Sequence, residues 1–494
     1  MNYIIGIDIG TSGTKVVAFS HEGDIVGNAY ESYEPVAAPP GRHELSPEVL
    51  FRAFENALSS LLVQLQGKGN LTAISFSAAM HSLLLIGKDH QPISNLITWA
   101  DLRSRDQARE LRNSELGLEL YRLSGTPIHP MTPLTKIIWF REMQQELFQR
   151  TIRFISIKEY IVFRLTGKYL VDYSIASATG LFDIYRLQWN PQALSLAGIQ
   201  PGQLSEPVTT THIEPVDFVF SNGTILQTKL VLGASDGCLA NLGSNAVHPG
   251  DVSLTIGTSG AVRMISSKPN YDPKSRIFNY ILTPELYVSG GPINNGGVLL
   301  KWYTENFLGK EVDDGADFET FVNEALQVEA GCKGLIFLPY IQGERAPVWD
   351  ADAKGVFFGV TSEHRQVHFM RSIIEGICFA LLDVSQSLEE TLGPINGVYA
   401  SGGFVKSPAW VQVLSDVLGK KINITDTADA SSIGAAMLGL YATGIIADLS
   451  DATRFLTVQH IYEPDLSNAN AYSKNFKIYR GLYSKLKADF TVDV

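Results

Sequence analysis

Three glycine-rich segments hold the residues best suited to chemistry. The first reads Asp8-Ile-Gly10-Thr11-Ser12-Gly13-Thr14-Lys15. A carboxylate at a strand end can hold Mg²⁺ through water, while turn amides, hydroxyls and the Lys15 ammonium can face phosphate oxygens. No Gly-x-x-x-x-Gly-Lys or Gly-x-Gly-x-x-Gly string occurs in the chain, so this is neither a Walker A loop nor a dinucleotide fingerprint. Taken alone it reads equally as a hairpin turn beside a partly exposed Asp. The second segment is Gly233-Ala-Ser-Asp236-Gly237. An Asp at the C-terminal end of a strand can accept a proton from a substrate hydroxyl, and a loose phosphoryl-transfer transition state does not require its pKa to be high. Asp-Gly is also an ordinary turn pair. The third, Ser401-Gly402-Gly403 ahead of Pro408, either lets a base or ribose lie on bare backbone or serves as a helix-entry loop.

The elements that must position these residues follow from periodicity. Tyr3 to Asp8, Val16 to Phe19 and Ile25 to Ser32 predict three strands, and Ser46 with Pro47 and Glu48 predicts the start of a helix running to about Leu65. Leu71 to Ser77 and Leu230 to Leu232 predict strands, while Pro191 to Gly223 reads as a connecting stretch. The pentapeptide Ile-Gly-Thr-Ser-Gly occurs at Ile9 to Gly13 and again at Ile256 to Gly260, an offset of 247 (256 minus 9), half of 494 residues. Strands are predicted around the second copy at Val252 to Thr255, Val262 to Ser266 and Ile277 to Leu282. Helical spacing marks His368 to Thr391, Pro408 to Leu418 and an Ala- and Gly-rich segment, Ser432 to Tyr441, which suits close packing. The repeat predicts a duplicated α/β architecture with domains at 1–247 and 248–494.

Composition narrows the partners. A net charge of -12 argues against a nucleic-acid surface, because phosphate backbones are bound by excess Lys and Arg. The three cysteines, Cys238, Cys332 and Cys378, form no CxxC or Cys/His cluster, as a reducing cytoplasm permits. The chain opens directly on a strand and no run approaches the roughly 18 apolar residues of a spanning helix, so a cytoplasmic location without membrane partners is expected.

The order of these segments resembles the FGGY family of carbohydrate kinases over essentially the whole chain. Met131-Thr-Pro133-Leu-Thr-Lys136-Ile-Ile-Trp139-Phe-Arg-Glu142 is similar to the family's first signature, with Met143 standing where a polar residue is usual. Gly355-Val-Phe357-Phe-Gly359-Val360, then His368-Phe369 and Ser372-Ile-Ile-Glu375, fits the second throughout. The resemblance implies two actin-like (ribonuclease H-like) α/β domains with an interdomain cleft for ATP and sugar. It implies Asp8 as the Mg²⁺-associated carboxylate, Gly10, Thr11, Ser12, Thr14 and Lys15 as the first phosphate loop, and Thr255, Gly257 and Thr258 as the second. Asp236 corresponds to the catalytic base, Gly402 and Gly403 with nearby Ser407 to the adenosine contacts, and Met80, His81 and Trp99 to the acceptor pocket. Asp101 and Arg103 are second choices there, with a capping or surface pair as the plainer reading. Glu344, Arg345 and Trp349 are expected to organise the site rather than react.

Gly41-Arg-His-Glu44, Ser77-Ala-Ala-Met-His81, Trp99-Ala-Asp-Leu-Arg103 and Ser124-Gly-Thr-Pro-Ile-His129-Pro-Met131 look most like the gluconokinase branch, with xylulokinases next. The implied reaction is ATP-dependent phosphorylation of a primary hydroxyl, of D-gluconate to 6-phosphogluconate, with Arg103 or His81 as carboxylate partners. The alternatives are a D-xylulose or other pentulose or polyol kinase and, in a different class, an actin-like ATPase. The expected partner is a small sugar or sugar acid, and a homodimer is left open.

Overall fold

Strand Asn2–Ile9 alternates between two apolar environments, as a strand buried on both faces must. Tyr3, Ile5, Ile7 and Ile9 join a core with Phe51, Phe54, Leu58 and Leu61 of helix Pro47–Gln64. Ile4 joins a second core with Met437 and Leu440 of helix Ala430–Ala442. Gly6, on that second face, lies under the helix so closely that a Cβ would stand 1.9 Å from the Ser432 carbonyl oxygen. A side chain at Gly6 would therefore push the helix off the sheet. Ser46 caps Pro47–Gln64, its hydroxyl accepting the Val49 N–H at 3.4 Å, as the sequence predicts.

The structure is a computed structural model and describes residues 1–310, 316–425 and 429–490. The chain divides into two units that interleave in sequence. One comprises Met1–Pro249, Ile265–Ser289 and Asp429–Thr457; the other comprises Gly250–Met264, Gly290–Ala428 and Val458–Val494. The sequence predicts a single crossing at 247/248, whereas the structure returns the chain twice to the first unit. The returning segments fill its second core, where Tyr280, Leu282, Val288, Ile433 and Leu438 pack on Val231, Leu239 and Leu242.

In the first unit six strands lie in the order Ile213–Val219, Ile225–Ser235, Asn70–Ala78, Asn2–Ile9, Gly13–Ser20, Ile25–Ser32. The central three are parallel, with Asp8 beside Ser77 and Ser235 beside Ala78. Their C-terminal ends therefore bring Asp8, Met80-His81 and Asp236 to one edge, where α/β sheets place ligand chemistry. In the second unit Asp251–Ile256 pairs antiparallel with residues 260–264 and parallel with Gly397–Ser401, which is followed by Ile422–Thr425 and Val458–Tyr462. The same plan sets Gly257-Thr258 and Gly402-Gly403 at the ends of neighbouring parallel strands.

Pro191 to Gly223, expected as a plain connection, instead contains helix Pro191–Ala197 and strands Glu206–Val208 and Ile213–Val219. Asn190 starts the helix by accepting the Gln192 N–H at 2.9 Å, and Pro191 occupies its first turn. The long helix predicted from His368 runs Gln366–Leu392, with Ile373, Ile377, Leu381 and Val384 buried. Among the described residues no helix is long and apolar enough to cross a membrane.

Candidate active site

Asp8, one residue before the end of its strand, is half-buried and accepts the Ser77 hydroxyl at 2.6 Å, with Lys15 directly across the antiparallel pair. Burial first, then the neighbouring carboxylates Asp236 and Asp429, push the Asp8 carboxyl up to about 7, against the pull of Ser77 and Lys15. The Lys15 ammonium forms an ion pair with Asp429, the residue ahead of helix Ala430–Ala442. Asp8 and Asp429 thus both face the Lys15 ammonium, and Asp236 lies close enough to Asp8 to oppose its ionisation. The Gly10 N–H donates to the Gly13 carbonyl at 3.0 Å, closing a turn that leaves Thr11 and Ser12 accessible, while Thr14 is buried beneath it. Tyr33 braces the turn: its hydroxyl donates to the Gly10 carbonyl at 2.6 Å and its N–H to the Ser12 carbonyl at 3.1 Å.

Asp236 opens helix Asp236–Gly243, partly exposed, with Oδ1 accepting the Gly237 N–H at 2.7 Å. Met80 packs partly buried against the cores that contain Ala178, Tyr280 and Phe182. His81 follows with φ of 65°, an uncommon backbone state for a non-glycine residue. Its Nδ1 lies 2.7 Å from the Ala178 carbonyl oxygen, as a donor, and its Nε2 lies 3.2 Å from the Tyr280 hydroxyl. Lys136, fully buried, holds the His81 carbonyl at 3.1 Å and the Met131 carbonyl at 2.5 Å. Burial lowers its ammonium to about 7 despite the opposing influence of Asp101. Trp99 sits half-buried on the turn after Leu96–Ile97.

Asp101 and Arg103 are not a surface pair. Asp101 is fully buried and meets Arg103 Nε at 2.8 Å, and Arg103 also binds Glu44. Burial opposes ionisation of Asp101, but the guanidinium and the backbone N–H groups of Arg103 and His43 hold its carboxyl below the usual range. With two carboxylates on its guanidinium, Arg103 is already neutralised.

In the second unit Thr255 Oγ1 lies 3.2 Å from Ser401 Oγ, and the Gly257 N–H donates to the Ser259 carbonyl at 2.8 Å. The Gly296 and Val298 N–H groups donate to the Thr258 carbonyl at 3.1 and 3.2 Å, and Gly297 donates to the Gly257 carbonyl at 2.7 Å. Glu344, fully buried, fixes that bracing strip by accepting the Asn294 N–H at 2.6 Å and Asn295 Nδ2 at 3.2 Å. Gly402 has φ of 101°, and a Cβ there would meet the Ile256 carbonyl oxygen at 2.4 Å. Gly403 faces open space. Ser407 is buried and caps helix Pro408–Leu418 through the Trp410 N–H at 3.5 Å.

Tyr33, Lys158 and Asp429 escape a sequence reading built on glycine turns. Tyr33 belongs to no motif, Asp429 is remote in sequence from Lys15, and Lys158 sits in an unremarked helix start. The alternation after the second strand and the capping pair Ser156/Glu159 are the local signals that point to Tyr33 and Lys158, whereas Asp429 has no local signal.

The chain belongs to the FGGY family of carbohydrate kinases: the family's N-terminal domain profile matches residues 3–243 and its C-terminal domain profile residues 252–443. It is 39% identical to a gluconokinase of Bacillus subtilis (strain 168), covering 99% of this chain and 97% of that one, and 28% identical to a xylulose kinase of the same organism, covering 99% and 98%. Its fold is similar to crystal structures from Lactobacillus acidophilus described as gluconate kinase and as ligand-bound xylulose kinase. Each superposes with a TM-score of 0.93 at 34% identity, covering 99% of both chains.

Proposed function

We propose that this chain is an ATP-dependent gluconate kinase that transfers the γ-phosphate to a primary hydroxyl, with Asp236 as proton acceptor. The observation that carries the substrate is the 39% identity to gluconokinase along the full chain. Family membership implies ATP as phosphoryl donor. In the reaction the hydroxyl oxygen bonds to the γ-phosphorus as the bond to the ADP oxygen breaks, and the hydroxyl proton passes to Asp236 Oδ. Met80, His81 and Trp99 orient the sugar acid, and the turn amides from Gly10 with Lys15 bind the transferring phosphate. Thr255, Gly257 and Thr258 serve the nucleotide's phosphates, and the bare backbone at Gly402 and Gly403 its adenosine.

Asp8, its carboxyl raised to about 7 by burial and by the neighbouring carboxylates Asp236 and Asp429, suits a hard cation with oxygen ligands. Asp8 would hold Mg²⁺, which supplies charge neutralisation for the phosphates when bound. Among the described residues no group of three or more ligating side chains could hold a metal by itself.

The gluconate assignment does not rest on a free cation. Arg103 is occupied by Asp101 and Glu44, and both His81 ring nitrogens are engaged. D-xylulose is the second reading, favoured by the equal structural likeness to a ligand-bound xylulose kinase. A panel of sugars, polyols and sugar acids in an ADP-release assay separates them. Saturable turnover with D-gluconate is expected, and saturation only with D-xylulose or another neutral sugar would overturn the gluconate assignment.

A further inference from the structure

Lys158 is a charged side chain that the proposed reaction does not use and that lies fully buried in the first unit. Its Nζ stands 2.7 Å from Asp172 Oδ2, with the two side chains 2% and 1% exposed, and donates to the Ala234 carbonyl at 3.0 Å. Ala234 is two residues before Asp236. The other carboxylate oxygen, Asp172 Oδ1, accepts the Ile175 N–H at 2.9 Å and so starts the short helix Tyr173–Ser177. That helix carries Ser174, whose hydroxyl lies 2.9 Å from Ser235 Oγ and accepts the Ser235 N–H at 3.1 Å. Two residues before Ser235, Gly233 has φ of 70° and lies so close to its neighbour that a Cβ would fall 1.7 Å from the Phe76 carbonyl oxygen. The three residues leading into Asp236 are therefore held by Phe76 at Gly233, by Lys158 at Ala234 and by Ser174 at Ser235.

A buried ion pair is a poor way to stabilise a fold, because removing both ions from water costs several kcal/mol each, and apolar replacement of such pairs is often neutral or stabilising. A hydrogen bond to a strand-end carbonyl, by contrast, fixes where the next side chain points. We propose that the Lys158–Asp172 pair is a positioning device for the proposed base. Lys158 anchors the Ala234 carbonyl, Asp172 anchors both Lys158 and the helix that presents Ser174, and together they set the direction from which Asp236 meets the sugar hydroxyl. The inference rests on Asp236 being the base.

The test compares purified Lys158→Met, Lys158→Met/Asp172→Leu, Ser174→Ala and Asp236→Asn with the wild type, using gluconate and ATP, or the sugar the panel selects. Lys158→Met leaves a buried carboxylate unpaired and is expected to lower Tm. The double variant is expected to restore Tm yet keep kcat about a hundredfold down, the order of loss for a misplacement of about 1 Å, with both KM values within about twofold of wild type. Recovery of kcat together with Tm would reduce the pair to a structural role and overturn the proposal. Ser174→Ala keeps the ion pair and serves if the double variant does not fold. It is expected to lose about tenfold in kcat at unchanged KM, and a wild-type kcat would likewise overturn the proposal. Retained phosphorylation by Asp236→Asn would instead refute the base itself.

Discussion

The two copies of Ile-Gly-Thr-Ser-Gly have the same five residues and fold into different hairpins. In the first, Ile9 pairs with Thr14 and four residues form the loop; in the second, Ile256 pairs with Gly260 and the loop has three. The difference comes from what braces each turn. Tyr33 takes the Gly10 and Ser12 carbonyls of the first, with the Tyr30 hydroxyl also 3.3 Å from Ser12 O, whereas backbone N–H groups of Gly296, Gly297 and Val298 take the Gly257 and Thr258 carbonyls of the second. A one-residue change of register alters which side chains face each other. Asp8 therefore faces Lys15, while Thr255 faces Ala261. Charge is concentrated at the first turn; the second is held by backbone and by the buried Glu344.

Asp8→Asn should separate the turns most sharply. Removing the carboxylate is expected to lower kcat by about a thousandfold, the scale for loss of a preorganised electrostatic contact. It should also raise Tm. Because burial and its carboxylate neighbours raise the folded pKa of Asp8 to about 7, the group's contribution to stability is full below its unfolded pKa and is lost as pH rises through 7. The Tm advantage of Asp8→Asn should thus be greatest above pH 7 and shrink toward pH 4. Thermal melts across that range check it, and an advantage that grows on acidification would contradict the electrostatic account.

Tyr33→Phe removes one donor from the Gly10 carbonyl. A loss of about 1 kcal/mol in holding the loop, read as a rise of about fivefold in KM for ATP at little change in KM for sugar, is expected. Steady-state kinetics with each substrate varied would show it, and an unchanged KM for ATP would mean that the tyrosine does not set the loop.

Glu344→Gln is expected to have the smallest effect. Burial pushes the Glu344 carboxyl up to about 7, so near neutrality it is already partly protonated, and an amide oxygen can still accept from Asn294. A change in kcat within about threefold is expected. A loss comparable to that of Asp8→Asn would erase the distinction between a charged and a packed turn.

Much of this arrangement was legible in the sequence because it is local. Val16 to Phe19 and Ile25 to Ser32 announce strands, Ser46-Pro47 announces a helix, and the order of Asp8, Asp236, Gly402 and the two signatures announces the family. What was hidden depends on contacts distant in sequence. Nothing around Asp429 reveals that the chain returns to the first unit and meets Lys15, a separation of 414 residues. Nor does Asp101-Leu-Arg103 reveal that Glu44 completes a buried clamp on the guanidinium. Identical pentapeptides also cannot reveal different registers, since the deciding partners, Tyr33 and Gly296 to Val298, lie outside them.

The most direct test of the central claim is product formation by Asp236→Asn beside wild type, with ATP, Mg²⁺ and D-gluconate, followed by ³¹P NMR and by nucleotide binding measured separately. Wild type is expected to give a phosphate monoester on the primary hydroxyl together with ADP. The variant is expected to bind ATP with near wild-type affinity and form no ester. Ester formation by Asp236→Asn at a rate near wild type would contradict the account.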